Sequence, residues 1–359
     1  MEIGIFGFPL SGKSTLFSLL TGVEQHPLHH NEASTSIAKV YDKRIEELSK
    51  IYNPKKTVFA TVAFVDIPGY DLSSSQKEKN RVLQFIQNSD AILSVIRAFR
   101  DPAVPWAPGS ESPIKQLLNI ETELLLRDME VVENRVVRLE EARKKRKLTK
   151  EEERELELLS TVQRGFEENV FVSRLGFSDD DLRLLGSLSL FTSKPLIVAI
   201  NLDEEQFSAG EYLEKDTVLK HILDNNFAYI ELSGKIEAEL NALPEEDRTL
   251  FMEELGISQS GIQRLSGVVY KHMNLISFLT VGEDEVRAWT IRKGTHAKSA
   301  AGKIHSDLEK NFIKAEVIAY DEFVKVGSMQ EAKSRGMVKI VGKEEVVRDG
   351  DIFHVRANA

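Results

Sequence analysis

The chain has 359 residues, 42% hydrophobic and 29% charged, and carries a formal net charge of −10 at pH 7. That length asks for more than one core, two or three domains, in a globular chain. The absence of cysteine excludes disulfides, thiolate metal sites and cysteine nucleophiles, and the acidic balance excludes a global attraction to nucleic acid, so RNA contact would need a local basic patch.

Residues 2–6, "EIGIF", read as a short apolar strand, and "KSTLFSLLTG" reads as a helix that stops at Gly22. Between them "GFPLSGKS" (7–14) matches G-x-x-x-x-G-K-[ST] in the strand–loop–helix context of a P-loop. Gly7 and Gly12 let the backbone curl past Pro9, which has no N–H, so that successive N–H groups, Leu10 and Ser11 among them, face phosphates, and the helix N-terminus adds its positive dipole end. Lys13 can reach the β- and γ-phosphates, Ser14 can ligate Mg²⁺, and Thr15 stands where an α-phosphate would lie.

No apolar stretch approaches the ~20 residues that span a bilayer. The first residues, "MEIGIFGFPLSGKST", lack the basic flank and cleavage pattern of a signal peptide. A cytoplasmic protein without a membrane partner is expected.

Residues 57–66, "TVFATVAFVD", read as one strand ending in Asp66, followed by Gly69. That D-x-x-G places Asp66 to hold Mg²⁺ through water and the Gly69 N–H to sense a γ-phosphate. "AILSVI" (91–96), "PLIVAI" (195–200) and "FAYIELSG" (227–234) read as further strands. Strands alternating with helices predict a doubly wound, mainly parallel α/β domain.

A Pro-rich loop (100–113) interrupts that pattern. Beyond it Leu125, Met129, Val132, Val136 and Leu139 step at heptad spacing. The seam breaks at "ARKKRKLTKEEE" and resumes at Leu156, Leu159, Val162, Phe166 and Val170. Thr149 before "KEEE" is a helix start, so two antiparallel helices joined at a charged tip are predicted. From about 276, the short strands "VRAWTI", "AEVIAY", "MVKIVG" and "DIFHVR" surround a helix over "SAAGKIHSDLEKNFI", a small α+β unit.

The P-loop, "FVDIPG", "AINLDEE" and "SGKIEAEL", taken in this order, resemble the Obg-like ATPases, the YchF family. "VRAWTIRKGTHAKSAAGKIHSDLEKNFIKAEVIAYDEF" with "GKEEVVRDGDIFHVR" is similar to that family's C-terminal TGS domain, a β-grasp module. The resemblance implies a P-loop domain in two parts (1–112 and 191–275), an inserted helical coiled-coil hairpin (113–190) and a TGS-like domain (276–359). It also implies slow hydrolysis of nucleoside triphosphate, often ATP, and association with ribosomes. A monomer is expected.

Several positions depart from the family pattern. Leu10 stands where an Asn usually helps place a potassium ion in related enzymes. Ungapped alignment puts His30 where a Thr usually closes over Mg²⁺, with Thr35 the substitute ligand after a shift. "DLSSSQKEKN" (71–80) replaces a glycine-rich second switch. Tyr70 follows Gly69 where many small GTPases have Gln; a phenol with a pKa near 10 is a poor base. Catalysis then rests on positioning by the loop, Lys13, Gly69 and Mg²⁺. His29 and His30 are candidate helpers, with solvated loop histidines the plainer reading.

The base reader is altered too. In N-K-x-D the Asp accepts two hydrogen bonds from guanine. Here Asn201 is kept, Leu202 replaces Lys, and Glu204 carries one methylene too many. That shifts its oxygens by about 1.5 Å and spoils a two-bond fit. Asn201 is expected at the purine N7 edge and Ser233, Gly234 and Lys235 beside the base. ATP is expected over GTP; a GTP-preferring enzyme and a binding module without hydrolysis are the alternatives. "RKKRK" (143–147) at the hairpin tip is the one dense basic run and the candidate contact for rRNA, with a solvated turn balanced by "KEEE" the plainer reading.

Overall fold

The structure is a computed structural model and describes residues 1–23 and 33–357. In chain order the first part runs β1 (Glu2–Phe6), α1 (Lys13–Thr21), β2 (Ser34–Val40), α2 (Lys43–Tyr52), β3 (Lys56–Val58), β4 (Ala60–Asp66), α3 (Gln76–Gln87) and β5 (Ala91–Arg97). Two long helices follow, α4 (Pro113–Lys145) and α5 (Lys150–Glu167), then α6 (Asp179–Leu185). The chain returns with β6 (Leu196–Asn201), α7 (Glu204–Ala209), α8 (Lys215–Asp224), β7 (Ala228–Leu232), α9 (Gly234–Ala242), α10 (Glu245–Glu254) and α11 (Gly261–His272). It closes with β8 (Leu275–Thr280), β9 (Glu285–Arg292), α12 (Ala297–Ile304), α13 (Ser306–Lys310), β10 (Phe312–Ala319), α14 (Tyr320–Val326), α15 (Met329–Ser334), β11 (Lys339–Val341) and β12 (Asp351–Ala357).

The first sheet has the order β2-β4-β1-β5-β6-β7. β1 pairs in parallel with β4 and β5, and β5, β6 and β7 continue in parallel. β5 and β6 are buried at every position, as strands covered on both faces must be. β1 is central and its register sets Ile5 opposite Asp66. The loop after β1 and the acid ending β4 therefore emerge side by side at the carboxyl edge of the sheet, where ligands of such folds bind.

α4 and α5 form the inserted hairpin. α4 starts at Ser112, which caps it with Pro113 in its first turn. α5 starts at Thr149 and Glu152, a reciprocal capping box. Leu125, Val132, Leu139, Leu159, Val162 and Phe166 of the heptad seam are buried, and Arg135 bonds Glu155 across the pair at 2.7 Å. Val170 lies beyond the end of α5. The hairpin shares one apolar cluster with the parallel sheet, from Phe6 and Ile96 to Val162 and Phe166.

The second sheet has the order β11-β10-β12-β8-β9-β3. β8 and β9 are an antiparallel hairpin, β12 lies parallel to β8, and β10 lies antiparallel to β12 and β11. With α12 between β9 and β10 this is the β-grasp arrangement. Its own core gathers Phe278, Ile291, Ala300, Phe312 and Phe353.

The local reading needs three corrections. The run 57–66 is two strands: β3 pairs in parallel with β9 of the second sheet, and β4 joins the first. The helix over 299–313 ends at Ile304, because His305 turns extended (φ −160°, ψ 142°) and its ring Nδ1 accepts the Asp307 N–H of a new short helix. Phe312 and Ile313 belong to β10. The chain divides into two compact units, Met1–Ser36 with Ala63–Ile262, and Ile37–Val62 with Gln263–Ala359. Residues 37–62, which the sequence reading leaves in the P-loop domain, are thus grouped with the C-terminal strands.

Candidate nucleotide-binding site

The glycine loop is held from both sides. Gly12 has φ 96°, and a Cβ there would meet Asn201 Nδ2 at 2.2 Å. Only glycine tolerates both the backbone angle and the approach. Leu10 also has a left-handed backbone, φ 62°, and its side chain is exposed. Such a conformation costs a residue with a Cβ about 1–2 kcal/mol.

Lys13 opens α1 and is buried, with Nζ donating to the Phe8 carbonyl at 2.8 Å. Burial pulls its ammonium down to about 8, opposed by the charge of Asp66. Asp66 is buried at the end of β4, and burial pushes its carboxyl above the usual range against a hydrogen bond from Ser14. Its Oδ1 has no hydrogen-bond partner among the described residues, nor does the buried Ser11 hydroxyl. A buried carboxylate oxygen without a donor, beside a serine hydroxyl and a lysine, is a donor set that suits a hydrated hard cation and a phosphate.

The D-x-x-G turn lies against the loop. A Cβ on Gly69 would meet Pro9 Cα at 2.9 Å, and the Tyr70 N–H donates to the Gly7 carbonyl at 3.0 Å. The Tyr70 side chain is buried in the core, its ring 5.2 Å from that of Phe6. Its hydroxyl donates to Glu123 Oε2 of α4 at 2.5 Å, and burial, with that carboxylate, raises its pKa far above the usual phenol. Tyr70 therefore offers no base.

On the base side, Asn201 ends β6 and bridges two loops. Its Nδ2 donates to the Ser11 carbonyl at 3.0 Å and its Oδ1 accepts the Gly234 N–H at 3.0 Å. One amide hydrogen remains for the expected N7 contact. Leu202 is buried, its N–H donating to Leu232 O at 2.8 Å. Ser233 is buried and caps α9 through the Ile236 N–H, and Gly234 lies 3.8 Å, by its Cβ direction, from Thr15 Cγ2. Glu204 opens α7 half-exposed and takes Lys235 at 2.6 Å. The Glu204 bond raises the Lys235 pKa.

The sequence reading missed Asp203 and Arg100. Asp203 caps α7, accepting the Gln206 N–H at 2.9 Å, and pairs with Arg100 at 2.9 Å. Burial works against its charge, yet Arg100 and the Gln206 and Arg100 N–H groups hold it at about 2. The signal was present: D-E-E-Q is a capping box. Thr35 is exposed in the edge strand β2, and the described contacts do not join it to Ser14 or Asp66. His29 and His30 lie outside the described residues.

A glycine loop with its lysine after a central parallel strand, an acid at the end of the next strand and a D-x-x-G turn define a P-loop nucleoside triphosphatase. The sequence comparisons agree. Residues 2–135 match a family model described as 50S ribosome-binding GTPase. Residues 275–358 match YchF-GTPase_C, described as a protein of unknown function. The chain is 38% identical to the "Ribosome-binding ATPase YchF" of Bacillus subtilis (strain 168), covering 100% of this chain and 99% of that protein. It is 36% identical to the protein of the same name from Mycoplasma genitalium, over 100% and 99%. The solved structure of the Schizosaccharomyces pombe YchF GTPase superposes with a TM-score of 0.87 at 30% identity, covering 99% of this chain and 97% of that one. The chain belongs to the YchF family.

Proposed function

We propose that the protein binds ATP with Mg²⁺, hydrolyses it slowly and associates with the ribosome in the cytoplasm, acting as a nucleotide-dependent switch and as a monomer. The observation that carries the choice of base is the engaged Glu204: its carboxylate pairs with Lys235 at 2.6 Å. Guanine needs a carboxylate for its N1–H and 2-amino group, and adenine has neither. The similarity to proteins named ribosome-binding ATPase supports the same reading.

Ser14 would hold Mg²⁺ directly and Asp66 through water; the unpartnered Asp66 Oδ1 fits that role. When bound there, the ion would supply positive charge to offset that of the phosphates. Lys13 leaves the Phe8 carbonyl for the phosphates, and the Gly69 N–H marks the γ-position. Among the described residues nothing replaces a glutamine for water, which supports slow turnover. Calorimetry with ATP, GTP and their diphosphates tests this, with single-turnover hydrolysis at saturating enzyme. Tighter GTP than ATP would overturn the base assignment.

A GTP-preferring reading keeps two observations in its favour: Glu204 still puts a carboxylate at the base loop, and the related solved structure is named a GTPase. Competition of GTP against bound ATP separates the two.

A further inference from the structure

We infer that Glu123, on the inserted hairpin, is a positioning residue for hydrolysis: through Tyr70 it holds the D-x-x-G turn in place against the phosphate loop. This rests on the reading of the site as a triphosphatase and deepens it.

Tyr70 directly follows Gly69, so its side chain and its own N–H anchor the peptide adjoining the one whose N–H marks the γ-phosphate. That anchor is over-determined. The backbone N–H is tied to Gly7 O at 3.0 Å, the ring is packed on Phe6 at 5.2 Å, and the hydroxyl is bonded to Glu123 at 2.5 Å. Glu123 stands 53 positions further along the chain, on α4. Its other oxygen, Oε1, lies 3.8 Å from Lys79 Nζ on α3, and that ammonium stands 6.0 Å from the Tyr70 ring centroid. Three elements therefore meet at one carboxylate: the turn that senses the γ-phosphate, the helix that follows it, and the first helix of the insertion.

Packing alone would have needed only a phenylalanine. A buried hydroxyl must find an acceptor, and here the acceptor is a half-buried charge supplied by the insertion. A hydrogen bond to a charged group is among the strong ones. The insertion thus has a direct hold on the γ-phosphate sensor. A ligand that shifts α4 would release or tighten that hold, coupling the hairpin to the nucleotide state in both directions.

The test compares the full-length protein with Tyr70→Phe, Glu123→Leu and Glu123→Gln. Two quantities are read: kcat for ATP, and the ratio of affinities for a non-hydrolysable ATP analogue and ADP. Tyr70→Phe and Glu123→Leu should each lower kcat about tenfold, the scale of one charged hydrogen bond. The analogue-to-ADP ratio should fall with it and KM for ATP should rise in step, because slow turnover makes KM a dissociation constant, while ADP affinity stays within about twofold, since the loop itself is untouched. Glu123→Gln keeps an acceptor and should recover most of both. Combining Tyr70→Phe with Glu123→Leu should be no worse than either alone. Unchanged kcat and unchanged ratio in both variants, with folding intact, overturn the inference while leaving the triphosphatase reading standing. A wild-type protein that hydrolyses nothing overturns the triphosphatase reading, and the affinity ratio then still decides the hold of Glu123 on the sensor.

Discussion

Lys235 Nζ lies 2.6 Å from Glu204 Oε2, and both side chains stand at the rim of the base loops, largely exposed. An exposed pair of this kind contributes about 0–1 kcal/mol, so its importance is in selectivity rather than stability. Glu204→Ala should therefore leave ATP affinity within about threefold, an exposed pair's worth. Calorimetry checks it. A hundredfold loss of ATP affinity would mean that the carboxylate reads the adenine itself.

Asn201 is both strut and candidate base contact. Replacing it by Ala leaves the Ser11 carbonyl and the Gly234 N–H without their side-chain partner in a buried place. That should cost about 2–4 kcal/mol of stability, the scale of two unsatisfied buried groups. Because the strut shapes the phosphate loop, Asn201→Ala should weaken inorganic tripolyphosphate as well as ATP. A purely base-reading Asn201 would spare tripolyphosphate.

Leu10 combines a left-handed backbone with an exposed apolar side chain. Asn adopts that conformation more readily than Leu. Leu10→Asn should stabilise the protein by up to about 1 kcal/mol, read as a higher urea midpoint with an unchanged slope. The same substitution restores the residue type that related potassium-stimulated enzymes carry. Hydrolysis by the variant, and not by the wild type, should accelerate when sodium is exchanged for potassium.

What the sequence made legible was local. The P-loop, the Asp66–Gly69 turn, the Thr149 cap and the heptad positions are each written within a few residues, and all but Val170, which falls past the end of α5, stand where expected. What stayed illegible was pairing at a distance. "KTV" carries no mark that sends it to the second sheet beside β9. Nothing around Tyr70 announces that Glu123 waits for its hydroxyl, and Lys235 reaches Glu204 across 31 positions. The motif around Asn201 announces a base contact, but its two internal bonds depend on the loops that meet it.

His221 on α8 faces Glu121 on α4, with Nε2 2.8 Å from Oε1. Asp224, Arg174 and Asn225 complete its surroundings. The Glu121 hydrogen bond raises the imidazole pKa above 6.5 despite burial. A histidine raised in the folded state contributes stability that is complete below the unfolded value and is lost as pH rises through the folded one. Stability should therefore decline from pH 6.5 upward through the raised value, and His221→Gln should remove that part of the slope. Urea midpoints of both proteins across that range check it; identical slopes would contradict the pairing.

The tip of the hairpin is less positive than its sequence. Arg146 binds Glu152 at 2.6 Å and Arg143 lies 3.5 Å from Glu140. Lys144, Lys145 and Lys147 are exposed and have no ion pair among the described residues. If the tip grips rRNA, these three lysines carry the grip, because the two arginines would first have to give up their carboxylates. Each lysine that neutralises a phosphate contributes roughly 0.7–0.9 to the slope of log affinity against log salt. Changing all three to Glu should weaken co-sedimentation with ribosomes and flatten the salt dependence by roughly two units. Arg146→Gln should change it little and should instead loosen the start of α5. Unaltered co-sedimentation by the triple variant would move the ribosome contact away from the tip, and the net charge of −10 then requires another local basic patch to supply it.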